Sequence, residues 1–316
     1  MATDAAIGSV LVTGCGLIGT SVALALREHG VAVHLADRDG SAVRTAERLG
    51  AGTSEPPTGP VDVALVAVSP ATTAEVVIGL VERGAARTVS DTASIKGAVL
   101  RAVQDRLPGP SRQTYVGGHP MAGSERSGPA AARGDLFAGR SWVLTPEPAT
   151  EPASTARTRR LVELCGAVSV EVDADVHDRD MAVLSHLPQV VASALAAPLA
   201  SLPPASLRLA GPGLHDMTRL AASQPELWTE ILLANRTAVL AAMESLHGEL
   251  DQWVSALEEA AADPAGAGTA LRALLVDGNR GRARLGPVPG ARPGARPGAG
   301  LRRGVGAGEE DQPPSG

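Results

Sequence analysis

"SVLVTGCGLIGTSVALALREHG", residues 9–30, decides the fold. A β-branched, apolar run is followed by a glycine turn. Apolar residues at helical spacing then follow (Leu17, Val22, Leu24, Leu26), and His29-Gly30 makes a helix stop. Gly14, Gly16 and Gly19 fit G-x-G-x-x-G. Alone that pattern is generic. Between a strand and a helix, with an acidic residue ending the next strand, it is the dinucleotide fingerprint. "VAVHLAD" (31–37) supplies the second strand and Asp37. Gly14 is predicted to permit the tight turn, Gly16 to bring backbone N–H groups to the pyrophosphate, and Gly19 to let helix and strand pack closely. Leu17 and Ile18 of the same loop, Arg38 beside Asp37, and Val68-Ser69 complete the predicted cofactor set. A carboxylate at Asp37 accepts hydrogen bonds from the adenosine ribose, so the predicted cofactor is NAD.

Working outward, "VDVALVAVS" (61–69) is nearly all apolar, as a strand buried on both faces should be. "RTVSD" (87–91), "TYVGG" (114–118), "SWVLTP" (141–146) and "AVSVEV" (167–172) read as further strands with helical stretches between. The alternation predicts an α/β fold, a Rossmann-type doubly wound, mostly parallel sheet over residues 1–172. After Asp173 no convincing strand is found, and 173–285 reads as an all-α domain. "ADVHDRDMAVLSHLPQVVASALAAPLA" (174–200) is predicted to be helical with a kink at Pro188. The segment 223–262 reads as one long amphipathic helix, opened by a capping box of Ser223 and Glu226. A helix of that length exceeds what one small domain can bury, which predicts a homodimer through the helical domain. Residues 286–316, rich in Gly, Pro and Arg, are predicted to be a disordered tail.

Composition narrows the function classes. A chain of 316 residues with 44% hydrophobic content can bury a real core, in one large or two ordinary domains. A net charge of −6 with 20% charged residues argues against nucleic acid as the main partner. Cys15 and Cys165 have no metal-ligand spacing and suggest no disulfide framework, so the chain reads as reduced and cytoplasmic, with no metal site. No unbroken apolar run is long enough for a membrane span, and the early first strand leaves no room for a signal peptide. Of 28 basic residues, Lys96 is the one lysine.

"GGHPMAGSERSG" (117–128) suits neither a helix interior nor a central strand, and it carries a histidine. "TYVGG" puts His119 just past a strand's carboxyl end, the edge where ligands sit in such sheets. "SDTASIKG" (90–97) brings Ser94 and Lys96 to the same edge, and "SHLPQ" (185–189) and "HDMTRLAASQPELW" (215–228) place polar groups in apolar surroundings. With "GCGLIGTS", these motifs resemble the prephenate/arogenate dehydrogenase family over roughly residues 8–285. The glycine loop is generic; the His-Pro-Met-Ala-Gly loop with the later Ser-His-Leu-Pro is specific.

The resemblance implies NAD-dependent oxidative decarboxylation of prephenate, or of its amino analogue arogenate, on the route to tyrosine. Such chemistry needs a base at the ring hydroxyl, a cation for the side-chain carboxylate and a nicotinamide. By resemblance His119 is the base, a role that suits an imidazole. Ser94 orients it, though a helix N-cap is its plain structural alternative. Arg219 binds the carboxylate, a task suited to a bidentate guanidinium, or else forms a surface ion pair. Glu125 gates or pairs with that arginine. His186 lines the substrate pocket, or is a core histidine satisfied by backbone. Gln189 stands where some members have a second histidine, and Trp228 contributes to the pocket or a dimer contact. His29, His34, His177, His215 and His247 read as structural or exposed. Gln189, Pro212 and Leu214 depart from the family pattern, which leaves the choice between prephenate and arogenate open. "GNRGRARLGP" (278–287) resembles the lead-in to a regulatory ACT domain, but the remaining stretch is too short to build one. A 3-hydroxyacid dehydrogenase is a rival reading, but it would need a lysine in the helical domain, and no lysine follows Lys96. A catalytically dead NAD-binding protein is another, and the joint presence of His119, Ser94 and Arg219 argues against it.

Overall fold

Short apolar or β-branched runs make strands, the middle ones largely buried on both faces, and seven of them form one sheet. The computed structural model describes residues 6–123 and 126–286. The strands are β1 (Ser9–Thr13), β2 (Ala32–Ala36), β3 (Val61–Val66), β4 (Ala86–Asp91), β5 (Tyr115–Pro120), β6 (Ser141–Thr145) and β7 (Val168–Glu171). Their order is β2-β1-β3-β4-β5-β6-β7, parallel throughout except where β5 meets β6. Between them run α1 (Leu17–Glu28), α2 (Gly40–Arg48), α3 (Pro70–Glu82), α4 (Gly97–Arg106), the single turn α5 (Gly109–Arg112) and α6 (Pro152–Leu164). This is the doubly wound fold the strand pattern implies. One core cluster joins Val10, Val12, Leu26, Val33, Trp142 and Leu161; the other joins Ala64, Val77, Ile78, Val103 and Tyr115. The strand order reverses between β1 and β3. A doubly wound sheet opens its ligand crevice at that switch point, outside the carboxyl ends of the strands.

From residue 174 on, the described chain is helical: α7 (Ala174–Met181), α8 (Leu187–Ala196), α9 (Pro204–Leu207), α10 (Pro212–Thr218), α11 (Pro225–Ala234), α12 (Arg236–Glu259) and α13 (Pro264–Ala283). The disturbance expected at Pro188 is a π turn over Ala182–His186, between α7 and α8. Proline lacks the N–H and its ring clashes with the preceding turn, and a widened turn relieves both. Stretch 174–201 is long and apolar enough by composition to cross a membrane, although His177, Asp178, His186 and Gln189 along it are buried against protein.

Two helical expectations fail. The single long helix over 223–262 is broken at Asn235, which ends α11 and opens α12 with φ −106° and ψ 23°. Asn235 is buried, and its amide turns inward to partners described below. The Ser223–Glu226 capping box does not form. Gln224 takes the N-cap position ahead of Pro225, with no side-chain cap, and the Ser223 hydroxyl instead donates to Gln189 Oε1 at 3.3 Å. The proposed tail lies outside the described residues, apart from Gly286.

Candidate active site

The glycine loop sits at the carboxyl end of β1. Gly14 has φ +105°, and a Cβ there would meet Ala67 O at 2.3 Å; one on Gly19 would meet Gly14 O at 1.9 Å. Both glycines are therefore required by close backbone approach. At Gly16 a Cβ would meet nothing within 4 Å, so its backbone faces open space. Gly16 is also the N-cap of α1 and offers no capping side chain. The first N–H groups of α1 are left for an anion, where the helix dipole favours one. Asp37 Oδ2 accepts from Cys15 N at 2.6 Å and Oδ1 from Asp39 N at 2.8 Å, which fixes the carboxylate beside the loop. Arg38 is exposed. Burial, with Asp37 and Glu47 nearby, pushes the Cys15 thiol up to about 12, so it stays un-ionised. These residues fit a dinucleotide: an open cradle at a helix N-terminus beside a fixed carboxylate.

A cleft of about 470 Å³ continues from this loop. Gly16, Leu17, Ile18, Val68 and Ser69 line one end. Ser94, His119, Ser223, Gln224 and Trp228 line the other. His119 also borders a second cavity of about 440 Å³, whose wall includes Met121, Arg133, Arg140, Met181 and Ser185. The histidine thus stands between two spaces.

What holds His119 there is a buried polar network. It lies within β5, one residue past its expected strand end, and Gly118 before it is squeezed: a Cβ there would come 2.5 Å from Asp91 O. Lys96, fully buried, pairs with Asp91 and donates to the Gly118 carbonyl at 2.6 Å. Tyr115 donates its hydroxyl to Asp91 Oδ2 at 2.7 Å. Its burial, together with Asp91 and then Glu147, pushes the phenol well above its usual range. The lone lysine thus clamps the strand that carries the histidine.

His119 Nδ1 lies 2.9 Å from His177 Nε2, and His177 Nδ1 lies 2.8 Å from Asp178 Oδ1. Asp178 in turn accepts from the backbone N–H groups of Lys96 and Gly97, both at 2.8 Å, where α4 begins. Burial pushes the Asp178 carboxyl up, but the hydrogen bonds from His177, Lys96 and Gly97 outweigh it and hold the group below its usual range. Burial holds His119 well below the usual imidazole range, reinforced by His177, Lys96 and His186. His119 is therefore un-ionised at neutral pH.

Asn235 Nδ2 donates to the Asp178 carbonyl at 2.8 Å and reaches His186 Nδ1 at 3.1 Å. A carbonyl can only accept, so the amide nitrogen is oriented there and His186 Nδ1 is the acceptor. His186 is buried and meets the Trp228 ring edge-on at 6.1 Å. Burial lowers its pKa, against an opposing pull from Asp178.

The cleft brings together His119, Ser94, Trp228 and most of the predicted cofactor set. Ser94 does not cap α4, whose N-cap is Lys96. Gln189 is buried; its amide donates to Leu220 O at 3.0 Å and its Oε1 accepts from the Ser223 hydroxyl at 3.3 Å, so it ties α8 to the following turn and is not among the residues lining the two cavities. Arg219 is exposed where α10 gives way to a short 3-10 turn, and it too lines neither cavity. Glu125 lies outside the described residues. His177, for which the sequence leaves a structural or an exposed role open, is buried and in direct contact with His119. The adjacent pair His177-Asp178, in a segment read only as helix, was the available signal. Asn235, a weak helix former in an apolar run, was another.

Comparison with known proteins follows the same division of the chain. Residues 22–171 match the family model described as prephenate dehydrogenase, nucleotide-binding domain, and 173–271 match prephenate dehydrogenase, dimerization domain. NovF of Streptomyces niveus, named a probable prephenate dehydrogenase, is 41% identical over 243 residues, covering 77% of this chain and 67% of that protein. The crystal structure of Aquifex aeolicus prephenate dehydrogenase with hydroxyphenyl propionate and NAD+ superposes with a TM-score of 0.75 at 27% identity, covering 88% of this chain and 98% of that one. Synechocystis arogenate dehydrogenase superposes with a TM-score of 0.70 at 25% identity, covering 87% and 99%.

Proposed function

The chain belongs to the prephenate dehydrogenase family of NAD-dependent oxidoreductases, and on that premise we propose that it converts prephenate to 4-hydroxyphenylpyruvate and CO2 with His119 as the base. The supporting observation is that His119 is held un-ionised on the wall of the cleft into which the glycine loop opens. Bound NAD+ would supply the hydride acceptor for the ring carbon that bears the hydroxyl. Gly16, Leu17 and Ile18 at the start of α1 would hold its pyrophosphate, and Asp37 its adenosine ribose. Val68 and Ser69 border the path between them and the reacting centre.

At that centre His119 receives the ring hydroxyl's proton as the hydride leaves. The electron pair of the ring–carboxylate bond moves into the ring as CO2 departs. The resulting phenolate takes the proton back from the imidazolium, so no net proton is released. A base in this role contributes about 10²–10⁴-fold in rate. Ser94 shares the cleft wall with His119, which supports the reading that it touches the same hydroxyl or the nicotinamide.

Prephenate is favoured over arogenate by the charge around His119. Among the described residues lining the two cavities, the cations are Arg126, Arg133 and Arg140, and none is acidic. Among those described residues the ammonium of arogenate finds no counter-charge, whereas the carboxylates shared by both substrates do. The same reading makes the enzyme a cytoplasmic homodimer joined through its helical domain. In its support, α12 turns Leu240, Met243, Leu250, Val254 and Leu257 outward while Val239, Ala242 and Ala256 pack inward. A helix apolar on both sides calls for a second partner.

The test is NADH formation with prephenate, arogenate and a 3-hydroxyacid side by side, in wild type and His119→Ala. Prephenate should give the highest kcat/KM. The variant should lose about 10²-fold or more in kcat while its NAD+ affinity changes little, because the base acts only in the transition state. The acid limb of wild-type kcat/KM should lie below pH 6.5, the ordinary imidazole value, since activity is lost as pH falls through the lowered His119 pKa. A variant within threefold of wild type would remove His119 from the reaction.

A further inference from the structure

We propose that His177 and Asp178 are positioning residues that set the tautomer of His119, so that its Nε2 is the basic nitrogen presented to the substrate. The inference rests on the reading of His119 as the base. It follows from three contacts in series, each with one direction open to it.

The Asp178 carboxylate can only accept. Both its oxygens are already fixed by the Lys96 and Gly97 backbone N–H groups, at 2.8 Å each. Its 2.8 Å contact with His177 Nδ1 is therefore an N–H donated by the histidine. With that proton on Nδ1, His177 Nε2 is left to accept. Its partner at 2.9 Å is His119 Nδ1, which must then carry the hydrogen. The lone pair of His119 lies on Nε2, the nitrogen opposite the network. A reversed tautomer would put a hydrogen where a base needs a lone pair.

The two imidazoles meet edge to face, centroids 5.2 Å apart at 74°, which suits an in-plane lone pair receiving an N–H from the neighbouring ring. His177 is buried and its backbone N–H donates to Asp173 O at 2.9 Å. Asp173 caps α7 through its side chain. The pair is thus rooted in a helix start as well as in α4. When His119 takes a proton at Nε2, its Nδ1–H keeps donating to His177, and the Asp178 carboxylate behind them favours the positive charge. The groups that act on the His119 charge are His177, Lys96 and His186, and Arg126, Arg133 and Arg140 line the two cavities it borders. All of these oppose that charge; the acidic group in the relay is Asp178, which reaches His119 through His177. This is the logic by which a third group orients a catalytic histidine.

His186 gives an internal contrast. Its Nδ1 accepts from Asn235, so its hydrogen lies on Nε2. The two histidines should therefore show opposite tautomers in one protein.

The experiment combines nitrogen NMR of histidine-labelled full-length protein with kinetics. In the wild type, the His119 signal, assigned by its loss in His119→Ala, should show Nδ1 protonated and Nε2 unprotonated, and His186 the reverse. Asp178→Asn places an amide donor or a changed acceptor against His177 and should shift His119 toward the Nε2–H form. Its kcat should fall about 10²-fold, with KM for prephenate and the Kd for NAD+ within threefold. If Asp178→Asn does not fold, His177 variants decide. His177→Leu should lose about 10²-fold in kcat, whereas His177→Gln, whose side-chain oxygen can still accept from Nδ1–H, should stay within about tenfold. A purely structural role would move the melting temperature of all three together and leave the tautomer alone. A wild-type His119 protonated on Nε2 overturns the proposal. So does kcat within threefold for His177→Leu. If His119→Ala keeps its activity, the reading of His119 as base fails and the proposal falls with it. If that variant is inactive while His177→Leu is not, the positioning role alone is overturned.

Discussion

The sheet region and the helical region are held together in different ways. Up to residue 172 the core is made of large apolar side chains such as Leu26, Leu65, Ile78, Phe137, Trp142 and Leu161, all nearly inaccessible. From residue 174 on, the buried apolar residues are alanines, together with Ile231 and Val239. Alongside them are buried His177, Asp178, His186, Gln189 and Asn235. At roughly 25 cal/mol per Å² of apolar surface removed from water, alanines stabilise little. The helical region therefore depends on polar joints to the sheet and on an apolar surface that it leaves outward. The difference teaches that this half of the chain is completed by contacts outside itself, some to the sheet domain and, on our reading, some to a second copy.

The sharpest way to break that comparison is to charge the outward face. The double variant Leu250→Asp, Leu257→Asp alters two side chains that are 52% and 61% exposed, so the single chain loses little packing. We expect wild type to scatter light as a dimer at micromolar concentration. The variant should be a monomer with reduced helical circular dichroism and an intact sheet domain. A wild-type monomer, or a variant that stays dimeric, would show that α12 needs no partner copy.

Within the sheet, two neighbouring glycines separate packing from ligand binding. Gly19→Ala drives a Cβ against Gly14 O, an overpacking of backbone on backbone that should destabilise by about 3 kcal/mol. Gly16→Ala meets nothing, so its urea midpoint should match wild type while NAD+ affinity drops. Equal midpoints for both variants would mean that the loop relaxes in a way this packing does not suggest.

Asn235→Ala tests the polar joint. It removes the amide that bonds the Asp178 carbonyl and His186, leaving buried groups unsatisfied at a cost of about 2 kcal/mol. Urea unfolding measures it. A neutral result would show that α11 and α12 are separated for some other reason, and that the joint is incidental.

The same contrast explains what could be read in advance. The strands are legible from short apolar or β-branched runs, most plainly "VDVALVAVS", where burial on both faces forces the pattern, and the glycine loop because its spacing sits between a strand and a helix. The break at Asn235 is not, because helical periodicity continues on either side and only a buried partner across the fold turns the chain. The Ser223–Glu226 box fails for a similar reason: a local pattern yields to Gln189, 34 positions earlier. At the site, His119 stands out by its glycine and proline neighbours. His177 does not, since its role depends on a contact across 58 positions that no local spacing encodes. Lys96 stands out only as the one lysine, and its clamp on β5 needs the sheet to exist first.

The smallest expected effect concerns cofactor choice, and it tests whether one residue of the sheet region acts on ligand rather than on fold. Asp37 holds its carboxylate at the end of β2 through two backbone N–H groups, those of Cys15 and Asp39. Each oxygen keeps a further lone pair, so the group can still accept from the ribose hydroxyls of NAD+. The 2′-phosphate of NADP+ would meet the same oxygens at close range and be repelled. Arg38, the adjacent cation, is exposed and does not offset a carboxylate fixed at the strand end. Wild-type kcat/KM should therefore favour NAD+ by roughly tenfold or more, equivalent to about 1.4 kcal/mol. Asp37→Ser removes the charge and lets Arg38 swing toward the phosphate, so the preference should shrink. Serine is also too short to keep both backbone contacts, and some stability will be lost. That loss affects both cofactors alike and cancels in the ratio of their kcat/KM values. Equal efficiency with the two cofactors in the wild type, or an unchanged ratio in the variant, would mean that Asp37 serves the loop and not the choice.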